Sequence, residues 1–172
     1  WSTVFTYYIV DVIGKSQATV SYLQSISAVG IIVTLSAGYI VTKITPRSLY
    51  TIAYSIMFAA SGLAWFVAVT RPAHMIVFLF GVELLHIVGV NIVWFVPWNV
   101  FPFIPDIDTM VTGKERAGLF ASVMQFVHQL SVGLASVIVG YMLDWSGLVR
   151  STTGATQQPQ SAKNMILFVL VG

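Results

Sequence analysis

Long apolar stretches separated by short polar connections run the whole length of the chain. A helix needs about 20 apolar residues to cross the hydrocarbon core of a bilayer. Four stretches reach this length, and a shorter apolar stretch flanks them at either end. Since lipid offers no hydrogen-bond partners to the backbone, helices are the spanning element we expect. We therefore predict an all-α, polytopic transmembrane bundle with spans at about 1–13, 20–41, 49–69, 75–96, 119–143 and 165–172, the first and last of them truncated.

The connections between these spans differ in length. Three tight hairpins come first, and two longer segments follow on opposite sides of the membrane, at 97–118 and 144–164. Prolines 97, 102 and 105 lie in the first of these segments. Because proline removes a helical donor and biases its predecessor toward extended geometry, we expect the preceding span to end near Trp98 and irregular chain to follow. The basic residues divide equally between the two sides, so charge alone does not set the orientation.

Composition excludes several classes of protein. The chain is 57% hydrophobic and 8% charged, whereas soluble domains carry about 25% charged residues. We therefore predict an integral, multi-pass membrane protein whose main partner is the lipid bilayer. The few basic residues leave no electrostatic footprint for nucleic acid. The sequence has no cysteine, three scattered histidines and no catalytic motif, so we expect no metal site, no catalytic residues, no resident cofactor and no enzyme activity.

Several stretches carry a family resemblance. The segment GYIVTKITPR, residues 38–47, is similar to the loop signature of the major facilitator superfamily, a glycine followed by a spacer and a basic cluster. The segment PDIDTMVTGKERAGLFASVMQFVHQLS, residues 105–131, resembles the loop and following helix of the glycoside–pentoside–hexuronide cation symporters, the melibiose-permease group. FTYYIVDVIG, residues 5–14, and QQPQSAKNMIL, residues 157–167, resemble that family's seventh helix and the approach to its twelfth. The order of these stretches matches the family over nearly the whole chain.

The resemblance implies the C-terminal six-helix half of a twelve-helix major facilitator fold, with the N-terminal half of the same transporter as its partner. The chain opens and stops inside apolar segments, which also predicts a piece of a longer protein. The resemblance makes 97–118 a cytoplasmic loop. It implies secondary active transport of a small solute, in particular a sugar or glycoside, by alternating access and coupled to Na⁺ or H⁺. Gln129 stands where that family usually has a lysine.

Two other functions stay open at this point. Lysolipid symporters share the fold and a similar Pro-Trp approach to the loop. A membrane-embedded structural or accessory subunit, derived from a transporter and packed against other members of a complex, would be consistent with the replaced lysine and the truncated ends.

Polar side chains within the apolar spans are the candidates for binding solute. Placing an ionisable side chain at the centre of a membrane helix costs about 2.5 kcal/mol or more, so it usually faces a cavity or a partner. Glu83 and His86 lie three residues apart, on one face of a helix. Their alternative role, and that of the uncharged candidates, is an interhelical hydrogen bond that holds helices together. The full set of predicted substrate-binding residues is Glu83, His86, Asn91, Gln125, His128, Gln129 and Tyr8.

Charged residues concentrate in the connections. Such loops can form salt bridges with the other half of a transporter in one conformation and release them in the other, which would make them part of the gate. The alternative is an ordinary solvated connection. The predicted gating residues are Lys43, Arg47, Asp106, Asp108, Lys114 and Arg116.

Overall fold

The computed structural model describes residues 1–40, 43–148 and 158–171. Every regular element in this part of the chain is helical, which confirms the predicted all-α class. The α-helices are α1 Ser2–Tyr7, α2 Gln17–Gln24, α3 Val29–Ile40, α4 Pro46–Thr70, α5 Met75–Val100, α6 Phe103–Thr112, α7 Ala117–Trp145 and α8 Gln160–Val171. A wide π-helical segment, Tyr8–Val12, continues α1, and a 3₁₀ turn, Ser25–Ala28, joins α2 to α3. Three parts of the predicted spans and connections lie outside the described residues: residue 41 at the end of the span 20–41, residues 149–157 of the connection 144–164, and residue 172 at the end of the span 165–172.

Four helical stretches are long and apolar enough to cross a membrane: Gln17–Ile40, Pro46–Thr70, Met75–Thr112 and Ala117–Trp145. They overlap the stretches predicted at 20–41, 49–69, 75–96 and 119–143, and the third extends well beyond the predicted residue 96. The shorter apolar helix α8 begins at Gln160, ahead of the predicted residue 165. The ends of the first span and of α4 follow ordinary capping rules. Gly14 adopts a φ of 78°, with the Lys15 N–H donating to the Ile9 carbonyl, and Thr45 precedes Pro46 at the first position of α4.

The expectation of irregular chain after Trp98 is wrong. Helix α5 continues through Pro97 to Val100, and α6 follows after a turn at residues 101–102. Pro97 still supplies its carbonyl, which accepts from the Phe101 N–H at 2.8 Å. Pro102 caps α6 and Pro105 occupies its third position, where a missing N–H costs nothing because the first N–H groups of a helix have no intrahelical partner. Much of the segment 97–118 is therefore helical.

Helices α4 and α5 form an antiparallel hairpin that organises the rest of the described bundle. The larger apolar core lies at one end of the hairpin, where α1, the π-helical segment and α8 pack on it. A smaller core joins α3, α4 and α5 at the other end through Ala37, Ala53 and Ile92. The two hairpin helices lie close together at Gly89, where a Cβ would lie 3.1 Å from the Ala53 carbonyl oxygen and would overlap the side chain of Met57. Small residues permit such close backbone contact in membrane bundles.

Helix α7 is packed very differently. Leu143 is its one buried residue, and most of its apolar side chains are exposed. It contacts α8 near one end and α6 near the other. An open cleft separates its C-terminal half from α1.

Candidate functional site

The ionisable pair on α5 lies inside the bundle. Glu83 and His86 belong to the buried stripe of α5 and are 6% and 7% exposed. Their spacing of three places both on the face that packs toward α1. The ring of His86 stacks on the indole of Trp1, with centroids 3.7 Å apart and an angle of 11° between the planes. The Trp1 side chain also lies beside the Glu83 carboxyl group.

One oxygen of Glu83 has no partner. Its Oε2 atom is buried and accepts no hydrogen bond from any described residue. The single ion pair in the described part of the chain, Asp108–Arg116, involves neither Glu83 nor His86. An unpaired buried carboxylate is unfavourable, because the charge is stripped of water without compensation. This oxygen therefore remains able to accept a hydrogen bond.

Asn91 is held in a different contact. Its amide Nδ2 donates to the Ile87 carbonyl at 2.8 Å, and its Oδ1 accepts from the Thr34 hydroxyl at 3.2 Å. A Cβ on Gly30 would lie 2.9 Å from Nδ2, so the amide fills the space beside α3. Asn91 thus joins α5 to α3 and is not brought together with Glu83 and His86.

Tyr8 is likewise engaged in packing. Its side chain is fully buried, and its hydroxyl donates to the Ala64 carbonyl at 2.7 Å. The ring also stacks near Phe5 at 6.1 Å. The hydroxyl links the π-helical segment to α4, which is the alternative role foreseen for the polar candidates.

The polar group on α7 lies away from Glu83. The ring of His128 meets Trp94 edge to face, with centroids 4.8 Å apart. Gln125 and His128 line a cavity of about 310 Å³ whose remaining walls are Trp98, Pro97 and other apolar residues of α5 and α7. Gln129 is exposed and lies outside this cavity. Two of the three predicted polar residues are therefore brought together, and the third is not.

A larger cleft lies between α1 and α7. Its volume is about 530 Å³, within the range of small-molecule sites. Its walls include Trp1, Thr3 and Tyr7 from α1 and Ser136 and Asp144 from α7. Trp1 belongs to this cleft and also covers His86, so one indole separates the open cleft from the buried pair.

Sequence reasoning did not select Trp1, Thr3 or Ser136 as site residues. The spacing of residues in this region could have indicated that they share helical faces. Thr3 and Tyr7 are four residues apart, as are Ser136 and Gly140, so each pair forms a stripe on one helical face. What the sequence did not reveal is that these two stripes face each other.

The predicted gating residues divide into one ion pair and several exposed side chains. The Arg116 guanidinium donates to both oxygens of Asp108, at 2.7 and 3.0 Å, which closes the turn between α6 and α7. Gly113 enables this turn with a φ of 68°. Four residues form no salt bridge within the described ranges and have exposed side chains: Lys43, Arg47, Asp106 and Lys114.

Comparison with known proteins identifies the chain. The family model described as MFS/sugar transport protein matches residues 1–172. The chain belongs to this family. The match confirms the predicted superfamily and the predicted class, a multi-pass membrane protein of a transporter family rather than an enzyme.

A relative among curated proteins agrees with this assignment. An uncharacterized symporter, sll1374, of Synechocystis sp. (strain ATCC 27184 / PCC 6803 / Kazusa) is 33% identical over 85 residues. That alignment covers 48% of this chain and 16% of the symporter, so the chain spans a small part of the length of this relative. No solved structure matches the chain. Among the described residues, no group of three His, Cys, Asp or Glu side chains is placed to hold a metal ion.

Proposed function

We propose that this chain is the C-terminal half of a secondary active transporter that moves a small hydroxyl-bearing solute, a sugar or a glycoside, by alternating access. The observation that carries the proposal is the buried Glu83–His86 pair beneath Trp1, next to an open cleft of about 530 Å³. Membrane helices seldom bury an ionisable group unless it faces a pathway or a partner. Membership of a sugar transport family supports a solute pathway here.

The cleft has the chemistry for a sugar ring. The faces of Trp1 and Tyr7 offer apolar, polarizable surfaces on which the C–H groups of a sugar can stack. Thr3 and Ser136 supply hydroxyl groups, and Asp144 supplies a carboxyl group near one end. A few polar groups placed on a mostly apolar wall are typical of small-molecule sites.

The other half of the transporter would cover α7. A helix with one buried residue in a chain of this family needs a further packing partner or lipid along most of its surface. In transporters built from two repeats, the substrate site lies near the bilayer midplane at the interface between the repeats. The exposed charges at Lys43, Arg47, Asp106 and Lys114 would then face the N-terminal half on the cytoplasmic side and form salt bridges in one conformation. The Asp108–Arg116 pair would hold their loop in shape.

Transport by the full-length protein tests this proposal. The purified protein is reconstituted into vesicles, and uptake of a panel of radiolabelled mono- and disaccharides is measured under an imposed Na⁺ or H⁺ gradient. We expect gradient-dependent accumulation of at least one sugar. If a radiolabelled lysophospholipid in the same panel accumulates and no sugar does, the apolar walls of the cleft serve a lysolipid instead. If no compound of either kind moves, the transport proposal is wrong, and an accessory role in a membrane complex takes its place.

A further inference from the structure

We infer that a groove between α4 and α8, on the outside of the bundle, is a binding site for an anionic phospholipid. The groove has a volume of about 430 Å³ and is lined by Trp65 of α4 and by Asn164, Leu167, Phe168 and Val171 of α8. The inference goes beyond the proposed transport function and does not depend on it, because a lipid site needs no transported solute.

The groove faces away from the core of the bundle. The buried residues of α8 are Ala162, Ile166 and Leu170, which repeat every four positions and form one stripe. At 3.6 residues per turn, the groove residues of this helix lie on the opposite side or at its edge. In a multi-pass membrane protein, an apolar groove on the outside of the bundle lies in contact with lipid.

The groove runs from one end of α4 toward the middle of the membrane. Trp65 lies five residues before the end of the spanning helix α4, and Asn164 lies four residues after the start of α8. Trp65 is 55% exposed, and tryptophan is enriched at the depth of the lipid headgroups. Val171 follows Asn164 by seven residues, which is about 10 Å of helix. The apolar walls therefore extend in the direction in which an acyl chain runs.

Positive charge collects at the shallow end of the groove. Lys163 directly precedes Asn164, and Arg71 directly follows α4. The Arg71 guanidinium donates to the Val12 carbonyl at 3.0 Å, which fixes it at this end of the bundle. Asp11 lies near Lys163 and offsets one of these two charges. The start of α8 adds the positive end of its helix dipole, with no acidic residue in its first turn.

This combination fits an anionic phospholipid better than other occupants. Lysine and amide donors at the headgroup level can bind a phosphate group, and an acyl chain can lie along Leu167 and Phe168. A sterol would fill the apolar walls but leave the positive charges without a partner. A second copy of this chain, related by a twofold axis, would bring the same charges against each other.

The first test measures lipid binding directly. Native mass spectra of the full-length protein, stripped of lipid in detergent, are recorded during titration with phosphatidylglycerol, which is anionic, and with phosphatidylcholine, which is zwitterionic. Both lipids carry the same acyl chains. Wild type is compared with Lys163→Gln. Lys15→Gln is the matched control, because Lys15 is exposed at the same end of the bundle and lies outside the groove.

We expect wild type to bind its first phosphatidylglycerol more tightly than its first phosphatidylcholine. Lys163→Gln should weaken binding of phosphatidylglycerol about fivefold, which corresponds to the loss of one lysine near an anionic headgroup. It should change binding of phosphatidylcholine less, and Lys15→Gln should resemble wild type. Equal binding of the two lipids by wild type would overturn the inference, and so would identical titrations of the two lysine variants.

A second pair of variants tests the apolar part of the groove. Phe168→Ser should weaken binding of both lipids, because it removes the side chain along which the acyl chain lies. Phe58→Ser makes the same change at an exposed position of α4 outside the groove and should leave both affinities unchanged. Equal affinities for the two phenylalanine variants would contradict the assignment of the acyl chain to this groove.

The same spectra test the other occupant. A lipid-free dimer that dissociates in Phe168→Ser but persists in Phe58→Ser would assign the groove to a second copy of the chain and overturn the lipid site. Circular dichroism reports whether each variant is folded. Should Lys163→Gln misfold, wild type alone still decides: its preference for phosphatidylglycerol should fall at high salt, because salt screens exposed charges. A preference that is unchanged by salt would contradict recognition through Lys163.

Discussion

Helices α5 and α7 are both long and apolar enough to cross a membrane, α5 being the more apolar, but their surroundings are very different. In the most apolar window of each stretch, 39% of the residues of Met75–Thr112 are buried, against 6% for Ala117–Trp145. The polar groups of α5 are therefore positioned by contacts within this half of the bundle, as Asn91 and His86 illustrate. Polar side chains of α7, such as Gln129, are exposed and are not held by contacts with the described residues. Two helices that can both span a membrane thus differ in their packing within this half: α5 is a scaffold, and α7 leaves most of its surface open to lipid or to a partner.

The largest expected difference between the two helices concerns glycine. Gly89→Val on α5 would force a side chain against Met57 and the Ala53 carbonyl, and overpacking of this kind costs about 1–3 kcal/mol. Gly133→Val on α7 meets no atom within 4 Å. We expect Gly89→Val to lower the apparent unfolding temperature of the full-length protein in detergent clearly more than Gly133→Val does. An equal loss from the two variants would mean that the other half of the transporter packs on Gly133 as tightly as α4 packs on Gly89.

A smaller difference in apparent unfolding temperature is expected between variants of the neighbouring residues Tyr7 and Tyr8. Tyr8→Phe removes a buried hydrogen bond to Ala64 worth about 1 kcal/mol, so it should lower the apparent unfolding temperature. Tyr7→Phe removes a hydroxyl from the wall of the cleft and should leave stability unchanged while raising the solute concentration needed for half-maximal uptake. Thermal unfolding and uptake curves on the same preparations test both. The opposite pattern would place Tyr8 in the solute path, as the sequence had suggested.

The contact between α3 and α5 should matter less. Asn91→Leu deletes the bond to Thr34, and interhelical hydrogen bonds in membranes average about 0.6 kcal/mol. The apparent unfolding temperature should fall slightly, with solute affinity unaffected. Thr34→Val provides the reciprocal change from the partner side. A loss of affinity in Asn91→Leu without one in Thr34→Val would show that the amide contacts solute.

The smallest effect on stability is expected at the turn after α6. The Asp108–Arg116 pair is partly exposed, and exposed ion pairs contribute about 0–1 kcal/mol. Arg116→Gln should barely change the unfolding temperature but should change the rate of sugar exchange if the turn takes part in gating. Glu115→Gln alters a neighbouring charge that makes no salt bridge within the described ranges. Equal exchange rates for wild type and both variants would remove this turn from the gate.

The sequence predicts features that depend on one segment alone, and it does not predict features that depend on which segments pack together. The number of long spans was readable, because length and hydropathy alone decide whether a helix can cross a bilayer. Helix α6 was not predicted, because three prolines in one segment indicate a helix break, whereas Pro102 and Pro105 lie at a helix start that tolerates them. Glu83 and His86 stand out in the sequence because ionisable residues are rare in such spans, and the structure shows that both are buried. Tyr8 and Asn91 could not be told from solute ligands, since the choice depends on whether Ala64 and Thr34 face them.

Accessibility of Ser136 tests the central claim, a solute path between α1 and α7, most directly. The described half has no cysteine, so Ser136→Cys can be introduced into full-length protein freed of any other thiol and labelled with a membrane-impermeant reagent. Leu134→Cys, an exposed residue two positions away on the same helix and outside the cleft, is the control. The account predicts rapid labelling at 136 that a transported sugar suppresses, and slow, sugar-insensitive labelling at 134. Equal and sugar-insensitive labelling at the two positions would contradict it.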